Sequence, residues 1–250
     1  MQIFAEMFED LGLGFLTMNT RGRDCIVEAA GVAGAYNYLG GSLELFGESV
    51  LDLRAMHEVA AEQSEVVAFQ GHSFGCEKVL NYAGQVGDEL PISLLSPGSS
   101  RVVQENYTGE PIATQLARLL SAGDIETGSM TLVPPGEYGV RQGRTEYPIP
   151  ITRAALVDLL SSDAMRILDF DGGWEPSNRL GPGHVYMGTS DPYLTSSADQ
   201  VSEYLAGLFS ELSVLLLGGG DHHFAGLEST VVGAVASWLS VQSQYSFGSE

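Results

Sequence analysis

A serine in a glycine-rich turn is the first feature of this sequence that could do chemistry. Ser73 lies at the centre of residues 71–75, GHSFG, which have the form G-x-S-x-G. The apolar residues 66–69 before it predict a buried strand, and residues 77–82 after it predict a helix. A sharp strand-to-helix turn lifts the Ser73 hydroxyl above the sheet edge and places the Phe74 N–H where it can stabilise an oxyanion. The pentapeptide alone is not specific, and the alternative is an ordinary serine in a tight turn.

A serine hydroxyl becomes a strong nucleophile only beside a base, and the sequence offers five histidines. His222 and His223 follow the late apolar run 214–217, in the loop where a base is expected. We prefer His222, because the pattern D-H-x-F of residues 221–224 leaves His223 in a variable position. The other three histidines are not expected to be the base: His57 lies within a helix, His72 lies within the turn and usually points away from the serine, and His184 opens a strand.

Asp191 is the carboxylate expected to orient this base. It follows the predicted strand at residues 184–188 and precedes His222 by one helix and one strand. A carboxylate there fixes the imidazole tautomer and stabilises the imidazolium. The alternative role of Asp191 is an Asx turn before Pro192. Weaker candidates for the acid are Asp169, Asp171 and Asp221.

Strands and helices alternate around these residues, which predicts a parallel α/β sheet in a single domain spanning residues 1–250. Strands are predicted at residues 14–19, 66–69, 91–96, 184–188 and 214–217, and helices at 1–11, 44–62, 77–86, 197–212 and 228–239. Residues 31–41 are predicted to be irregular, and residues 242–250 a polar tail. Ligands of such sheets bind beyond the carboxyl ends of the strands, so Ser73, Asp191 and His222 are expected to meet there.

Residues 99–168 interrupt the alternation. They contain two predicted helices, at 112–120 and 152–161, separated by a polar loop. We expect this insertion to form a lid over the carboxyl ends of the strands; the alternative is a surface excursion that does not contact substrate. Tyr107, Arg141 and Arg144 are its candidate substrate contacts.

The charge balance is strongly acidic. There are 32 acidic and 11 basic residues, a net charge of -21, and Lys78 is the only lysine. Nucleic acids and anionic membranes are bound through basic patches, so neither is expected as a partner. An acidic, lysine-poor surface is typical of proteins from a salt-rich cytoplasm, where dense screening suppresses self-repulsion. We therefore predict a halophilic origin, the alternative being an ordinary acidic protein.

Targeting and metal-binding signals are weak in this sequence. The longest apolar runs are too short to span a bilayer, and the N-terminus does not read as a signal peptide, so a cytoplasmic location is expected. Cys25 and Cys76 lack the spacing of metal ligands, and no metal is expected; Cys76 is expected to be a packing residue.

Four segments resemble an esterase-like branch of the α/β-hydrolases that is similar to fungal siderophore esterases. They are residues 19–24 (NTRGRD), 71–79 (GHSFGCEKV), 188–191 (GTSD) and 221–226 (DHHFAG). The resemblance implies a mostly parallel sheet with helices on both faces. It also implies hydrolysis of a small-molecule ester, lactone or thioester through an acyl-enzyme on Ser73, with His222 as base and Asp191 as acid, and with neither metal nor organic cofactor.

The same resemblance implies strands and an oxyanion loop ahead of the first helix, whereas Met1 falls inside that helix. Phe74 would then supply one oxyanion N–H, and the second would belong to the loop that is missing. We therefore expect an N-terminally truncated chain that lacks the first strands and whose activity is doubtful. The alternatives to an ester hydrolase are an acyltransferase or peptidase on the same fold, or a binding protein that keeps the fold without catalysis.

Overall fold

The computed structural model describes residues 2–17, 20–22, 27–30, 36–87, 90–123, 133, 140–142, 145–147, 151–170 and 173–246. Within these ranges the strands are β1 (Val27–Ala30), β2 (Tyr36–Leu39), β3 (Phe69–His72), β4 (Ile92–Leu95), β5 (Val140–Gln142), β6 (Thr145–Tyr147), β7 (Gly183–Gly188) and β8 (Leu212–Leu217). The helices are α1 (Gln2–Asp10), α2 (Ser49–Ala61), α3 (Phe74–Val86), α4 (Ser100–Thr108), α5 (Ile112–Ser121), α6 (Arg153–Ser161), α7 (Ala198–Leu208) and α8 (Glu228–Ser246). Short 3₁₀ turns lie at Phe46–Glu48 and Asp163–Arg166.

The central sheet has the strand order β3-β4-β7-β8, and all of its strands are parallel. The register aligns Phe69 with Ile92, Ile92 with Gly183, and Gly183 with Leu212. The four strands therefore start level with one another, and their carboxyl ends form one edge. The segments that follow these strands contain, in order across the sheet, Ser73, Ser96, Asp191 and His222.

Helices cover both faces of this sheet, as predicted. Alternate residues of the central strands enter two different cores: Leu94 and Val185 face one, and Leu95 and Tyr186 face the other. The first core is completed by α2, α3, α6 and α7, and the second by α1 and α8. Strands buried on both sides are mostly apolar, and every residue of β4 and β7 is buried, including the polar residues Ser93 and His184. The predicted α/β fold class is confirmed.

The first predicted strand, residues 14–19, is wrong over its described part. Residues 13–17 form no strand, and residues 18–19 lie outside the described ranges. A strand is stable only when its backbone groups find a neighbouring strand, and β3 hydrogen-bonds only to β4 among the described residues. The segment packs instead against α1, where the rings of Phe15 and Phe8 stack 5.5 Å apart.

Part of the region predicted to be irregular, residues 31–41, is the strand β2, which pairs antiparallel with β1 just before that region, with Val27 opposite Leu39. Helix α8 continues to Ser246, so the predicted polar tail of residues 242–250 is wrong as far as residue 246. Residues 247–250 lie outside the described ranges. In the described part of the chain, no helix combines the length and the apolar character that crossing a membrane requires.

The insertion between β4 and β7 holds more structure than predicted. Helices α5 and α6 match the expected ones, but α4 and the β5–β6 hairpin are additional. Helix α4 is tied to α3 by the buried carboxyl group of Glu77, which accepts hydrogen bonds from the Ser100 N–H (3.0 Å) and the Ser100 hydroxyl (2.5 Å). The insertion is thus anchored one helical turn beyond Ser73.

Candidate active site

The turn that presents Ser73 is strained in the way the pentapeptide predicts. Ser73 has φ 55° and ψ -125°, a conformation that is costly for a residue with a side chain. Its N–H donates to the Leu95 carbonyl at 3.0 Å, which ties the turn to β4. A Cβ on Gly71 would lie 2.6 Å from the Gly75 carbonyl oxygen, so only glycine fits there. The strand and the helix can therefore meet closely beneath Ser73.

Phe74 is the first residue of α3, where a helix N–H has no acceptor within the helix. Its ring packs against Phe46, with centroids 5.7 Å apart, and the Lys78 ammonium lies 4.7 Å above it. Lys78 in turn binds both carboxylate oxygens of Glu44, at 2.7 and 2.8 Å, in a nearly buried ion pair. These contacts fix the first turn of α3 and leave the Phe74 N–H at its tip.

Asp191 and His222 form a buried hydrogen-bonded pair. The Nδ1 of His222 lies 2.9 Å from Oδ2 and 3.0 Å from Oδ1 of Asp191. A carboxylate only accepts, so the proton is on Nδ1, and Nε2 is the free acceptor of the neutral ring. Burial acts to raise the pKa of Asp191, but hydrogen bonds from His222, the Tyr193 N–H and Ser96 outweigh it and hold the pKa below its usual value. Asp191 therefore stays ionised beside the imidazole.

The loops that carry these two residues are held together by backbone contacts. The Ser190 N–H donates to the Gly220 carbonyl at 2.9 Å, and a Cβ on Gly188 would lie only 2.2 Å from that oxygen. Phe224 is 1% exposed, so the far side of the loop that carries His222 is held by packing in the core. Asp191 also accepts from the Tyr193 N–H at 2.8 Å, so it makes the Asx turn as well as the imidazole contact.

Three residues to which the sequence assigned no catalytic role also contact His222. The Nε2–H of His72 donates to the main-chain carbonyl of His222 at 2.7 Å, and the Ser96 hydroxyl lies 3.3 Å from the same oxygen. The Tyr193 ring meets the His222 ring edge to face, 4.7 Å between centroids. His72, which was not expected to be the base, instead contacts the preferred base, with its ring 5.0 Å from that of His222.

The remaining candidates make no hydrogen bond to the side chains of this pair among the described residues. No hydrogen bond joins the Ser73 hydroxyl to His222 or His223 within the described ranges, although His72, the neighbour of Ser73, contacts His222 directly. His223 is exposed, and Asp221 is used to accept from the N–H groups of His223 and Ala225. The structure thus favours His222 over His223 as the partner of the acid.

The other acids and histidines have partners elsewhere. Asp169 binds Arg101 at 2.6 Å and the Ser99 hydroxyl at 2.5 Å, and Asp171 lies outside the described ranges. His57 binds the Tyr82 hydroxyl at 2.8 Å, and His184 stacks on Tyr186.

The predicted substrate contacts in the insertion are only partly described. Tyr107 lies half-buried in the last turn of α4. Arg141 belongs to β5, and Arg144 lies outside the described ranges. The buried thiol of Cys76 lies 3.3 Å from the Leu95 carbonyl, in agreement with a packing role. Among the residues described, no cluster of histidine, cysteine and carboxylate side chains is arranged to hold a metal ion.

Comparison with known proteins identifies the architecture. No family model matches the chain, and no curated protein sequence matches it. Solved structures do match. Est1E from Butyrivibrio proteoclasticus, with ferulic acid bound, has a TM-score of 0.59 at 15% identity, over 96% of this chain and 81% of Est1E. The chain has the α/β-hydrolase fold.

Two further solved structures also match the chain. DcsB in complex with its substrate analogue has a TM-score of 0.59 at 14% identity, covering 96% of this chain and 83% of DcsB. A thermostable carboxyl esterase from Bacillus coagulans, in complex with glycerol, has a TM-score of 0.53 at 14% identity, covering 79% of this chain and 72% of the esterase. At these identities the likeness concerns the fold, and the similarity to siderophore esterases stays a prediction.

Proposed function

We propose that this α/β-hydrolase-fold chain is a serine hydrolase that cleaves a small-molecule carboxylic ester, lactone or thioester. One observation carries the proposal: a buried, ionised Asp191 holds the Nδ1–H of His222, and His222 is itself bonded to the residue next to Ser73. A nucleophile in a strained turn, a neutral imidazole and an oriented carboxylate are the parts that acyl transfer needs.

In the proposed reaction, Ser73 Oγ attacks the acyl carbon while its proton passes to His222 Nε2. The Phe74 N–H donates to the oxyanion that forms. His222 then gives the proton to the leaving alkoxide, alcohol departs, and an acyl-Ser73 ester remains. Water attacks this ester while its proton passes to Nε2; the acyl–Oγ bond then breaks, Nε2 gives the proton to Ser73 Oγ, and the carboxylic acid is released.

The proposed reaction requires the Ser73 hydroxyl to reach His222 Nε2 when substrate is bound. Catalytic hydrogen bonds are often long or poorly aligned until substrate is bound, so the missing Ser73–His222 hydrogen bond does not by itself rule the step out. Loss of one oxyanion donor costs on the order of 10²–10³ in rate, and Phe74 is the only donor assigned here, so turnover is expected to be slow. The insertion, residues 99–168, is proposed to act as the lid, with Tyr107, Arg141 and Arg144 as its substrate contacts.

The test is hydrolysis of activated p-nitrophenyl esters of increasing acyl length by the wild type and three single variants. Ser73→Ala, His222→Ala and Asp191→Asn should each lower kcat by on the order of 10³-fold or more, because the three groups act as one unit. His223→Ala, which removes the adjacent exposed imidazole, should retain wild-type rates. Undiminished hydrolysis by Ser73→Ala would overturn the proposal, and loss of activity in His223→Ala alone would reassign the base.

A further inference from the structure

The base in this fold comes from the strand farthest from the nucleophile. Ser73 follows β3 and His222 follows β8, at opposite edges of the β3-β4-β7-β8 sheet. Neighbouring strands lie about 4.8 Å apart, so these two strand ends are separated by roughly 14 Å. The loop after β8 must therefore reach back across two strands, and something must hold it there.

The contact that holds the loop is made by the main chain of His222. Its carbonyl oxygen accepts from His72 Nε2–H at 2.7 Å and from the Ser96 hydroxyl at 3.3 Å, which fills both of its acceptor positions. His72 ends β3 and Ser96 follows β4, so the two strands nearest to Ser73 each supply one donor. The carbonyl cannot donate, and this fixes the His72 proton on Nε2.

Resting on the proposed function, we propose that His72 and Ser96 are positioning residues that hold the main chain of His222 so that its Nε2 faces Ser73. Neither side chain transfers a proton in the reaction. They act through the backbone of the base, whereas Asp191 acts through its ring.

Ser96 holds a strained backbone conformation at this position. It is 2% exposed and has φ 50°, a left-handed conformation that a serine rarely adopts. Its N–H donates to the Tyr186 carbonyl at 2.9 Å, so the strained backbone is tied to β7. Its single hydroxyl proton is shared between the His222 carbonyl and the Asp191 carboxylate, which places one side chain between the acid and the carbonyl of the base. Strained conformations of this kind persist where the surroundings over-determine them, and they often mark functional sites.

His72 is neutral in this arrangement. Burial is the main cause that lowers its pKa, and the facing groups are His222, His223 and Asp191. A neutral ring with its proton on Nε2 keeps the hydrogen bond and adds no positive charge beside the imidazolium that forms on His222.

The test compares variants that keep or remove each donor. His72→Phe keeps a ring but removes the N–H, whereas His72→Gln keeps an N–H. Ser96→Ala removes only the hydroxyl, since alanine has the same Cβ as serine at the positive φ. The matched control is Ser93→Ala on the same strand: Ser93 is also 2% exposed, and its hydroxyl has no hydrogen-bond partner among the described residues.

Kinetics on folded protein, with unfolding temperatures measured in parallel, should separate positioning from mere stability. A small displacement of a catalytic group can cost up to about 10²-fold, so we expect kcat to fall about 10- to 30-fold in His72→Phe and about 3- to 10-fold in Ser96→Ala, with KM within about threefold. His72→Gln should recover most of the loss. The double variant should lose less than the product of the single losses, because both donors hold one oxygen.

The proposal is overturned if His72→Phe and Ser96→Ala keep the kcat of Ser93→Ala while Ser73→Ala is inactive. It is also overturned if His72→Gln is as slow as His72→Phe with the same unfolding temperature. If Ser73→Ala remains active, the proposed function has failed instead. Should His72→Phe not fold, Ser96→Ala and His72→Gln decide the matter.

Discussion

The tight packing of Gly71 beneath Ser73 predicts that Gly71→Ala destabilises the protein. The added Cβ would lie 2.6 Å from the Gly75 carbonyl oxygen and 2.7 Å from both the N and the Cα of Cys76. Each distance is about 0.7–0.8 Å short of ordinary contact, which begins at 3.4 Å. All three atoms belong to the backbone of the first turn of α3, so no side chain can move aside.

Relief of this clash requires α3 or β3 to shift, and we expect Gly71→Ala to lower the free energy of unfolding by about 1–3 kcal/mol, as overpacking typically does. A shift of that size at Ser73 should also slow its acylation by up to about 10²-fold. Urea unfolding measures the first effect and ester hydrolysis the second.

The matched control is Gly75→Ala, in the same pentapeptide. A Cβ there meets nothing within 4 Å, and the residue lies in a helix with no left-handed φ. Since alanine is favoured over glycine in helices by up to about 1 kcal/mol, this variant should be as stable as the wild type or slightly more stable. Equal stability of Gly71→Ala and Gly75→Ala would refute the reasoning.

Three further predictions concern stability. Lys78 and Glu44 are 9% and 4% exposed, so Lys78→Met leaves a buried carboxylate unpaired and should cost about 3–5 kcal/mol in urea unfolding, whereas Lys78→Met with Glu44→Met should recover most of it. Burial raises the pKa of Glu77 from 4.5 to about 8; ionisation then favours the unfolded chain, so the unfolding free energy should fall as pH rises from about 4.5 to 8. Glu77→Gln should flatten this dependence of the unfolding free energy on pH. An unchanged dependence in the variant would contradict its assignment to Glu77. The predicted halophilic character requires the melting temperature to rise between low salt and molar KCl, since screening relieves the repulsion of a net charge of -21; a flat curve contradicts it.

Local sequence signals predicted the elements that carry the candidate site. The glycines around Ser73 predicted the turn, and apolar runs ahead of Asp191 and His222 predicted that each follows a strand. The contacts of His72 and Ser96 with His222 could not be predicted in this way, because they join residues 150 and 126 positions apart. They depend on strand order, which no local pattern encodes.

The incorrect predictions have physical causes too. Residues 14–17 have the apolar composition of a strand, but a strand needs a hydrogen-bonding neighbour, and composition does not supply one. Helix α4 was missed because its residues are largely polar, although the Ser99 hydroxyl caps it by accepting from the Val102 N–H at 3.1 Å. A serine at this position after Pro97 and Gly98 is a helix-start signal that could have found it.

The most direct test of the central claim is covalent labelling with a fluorophosphonate probe, followed by peptide mapping. The probe reports the activated hydroxyl itself and requires neither the physiological ester nor rapid turnover. We predict a single adduct on Ser73, absent in Ser73→Ala and slowed on the order of 10³-fold in His222→Ala. A folded wild-type protein that carries no adduct, or carries it on another residue, would contradict the account.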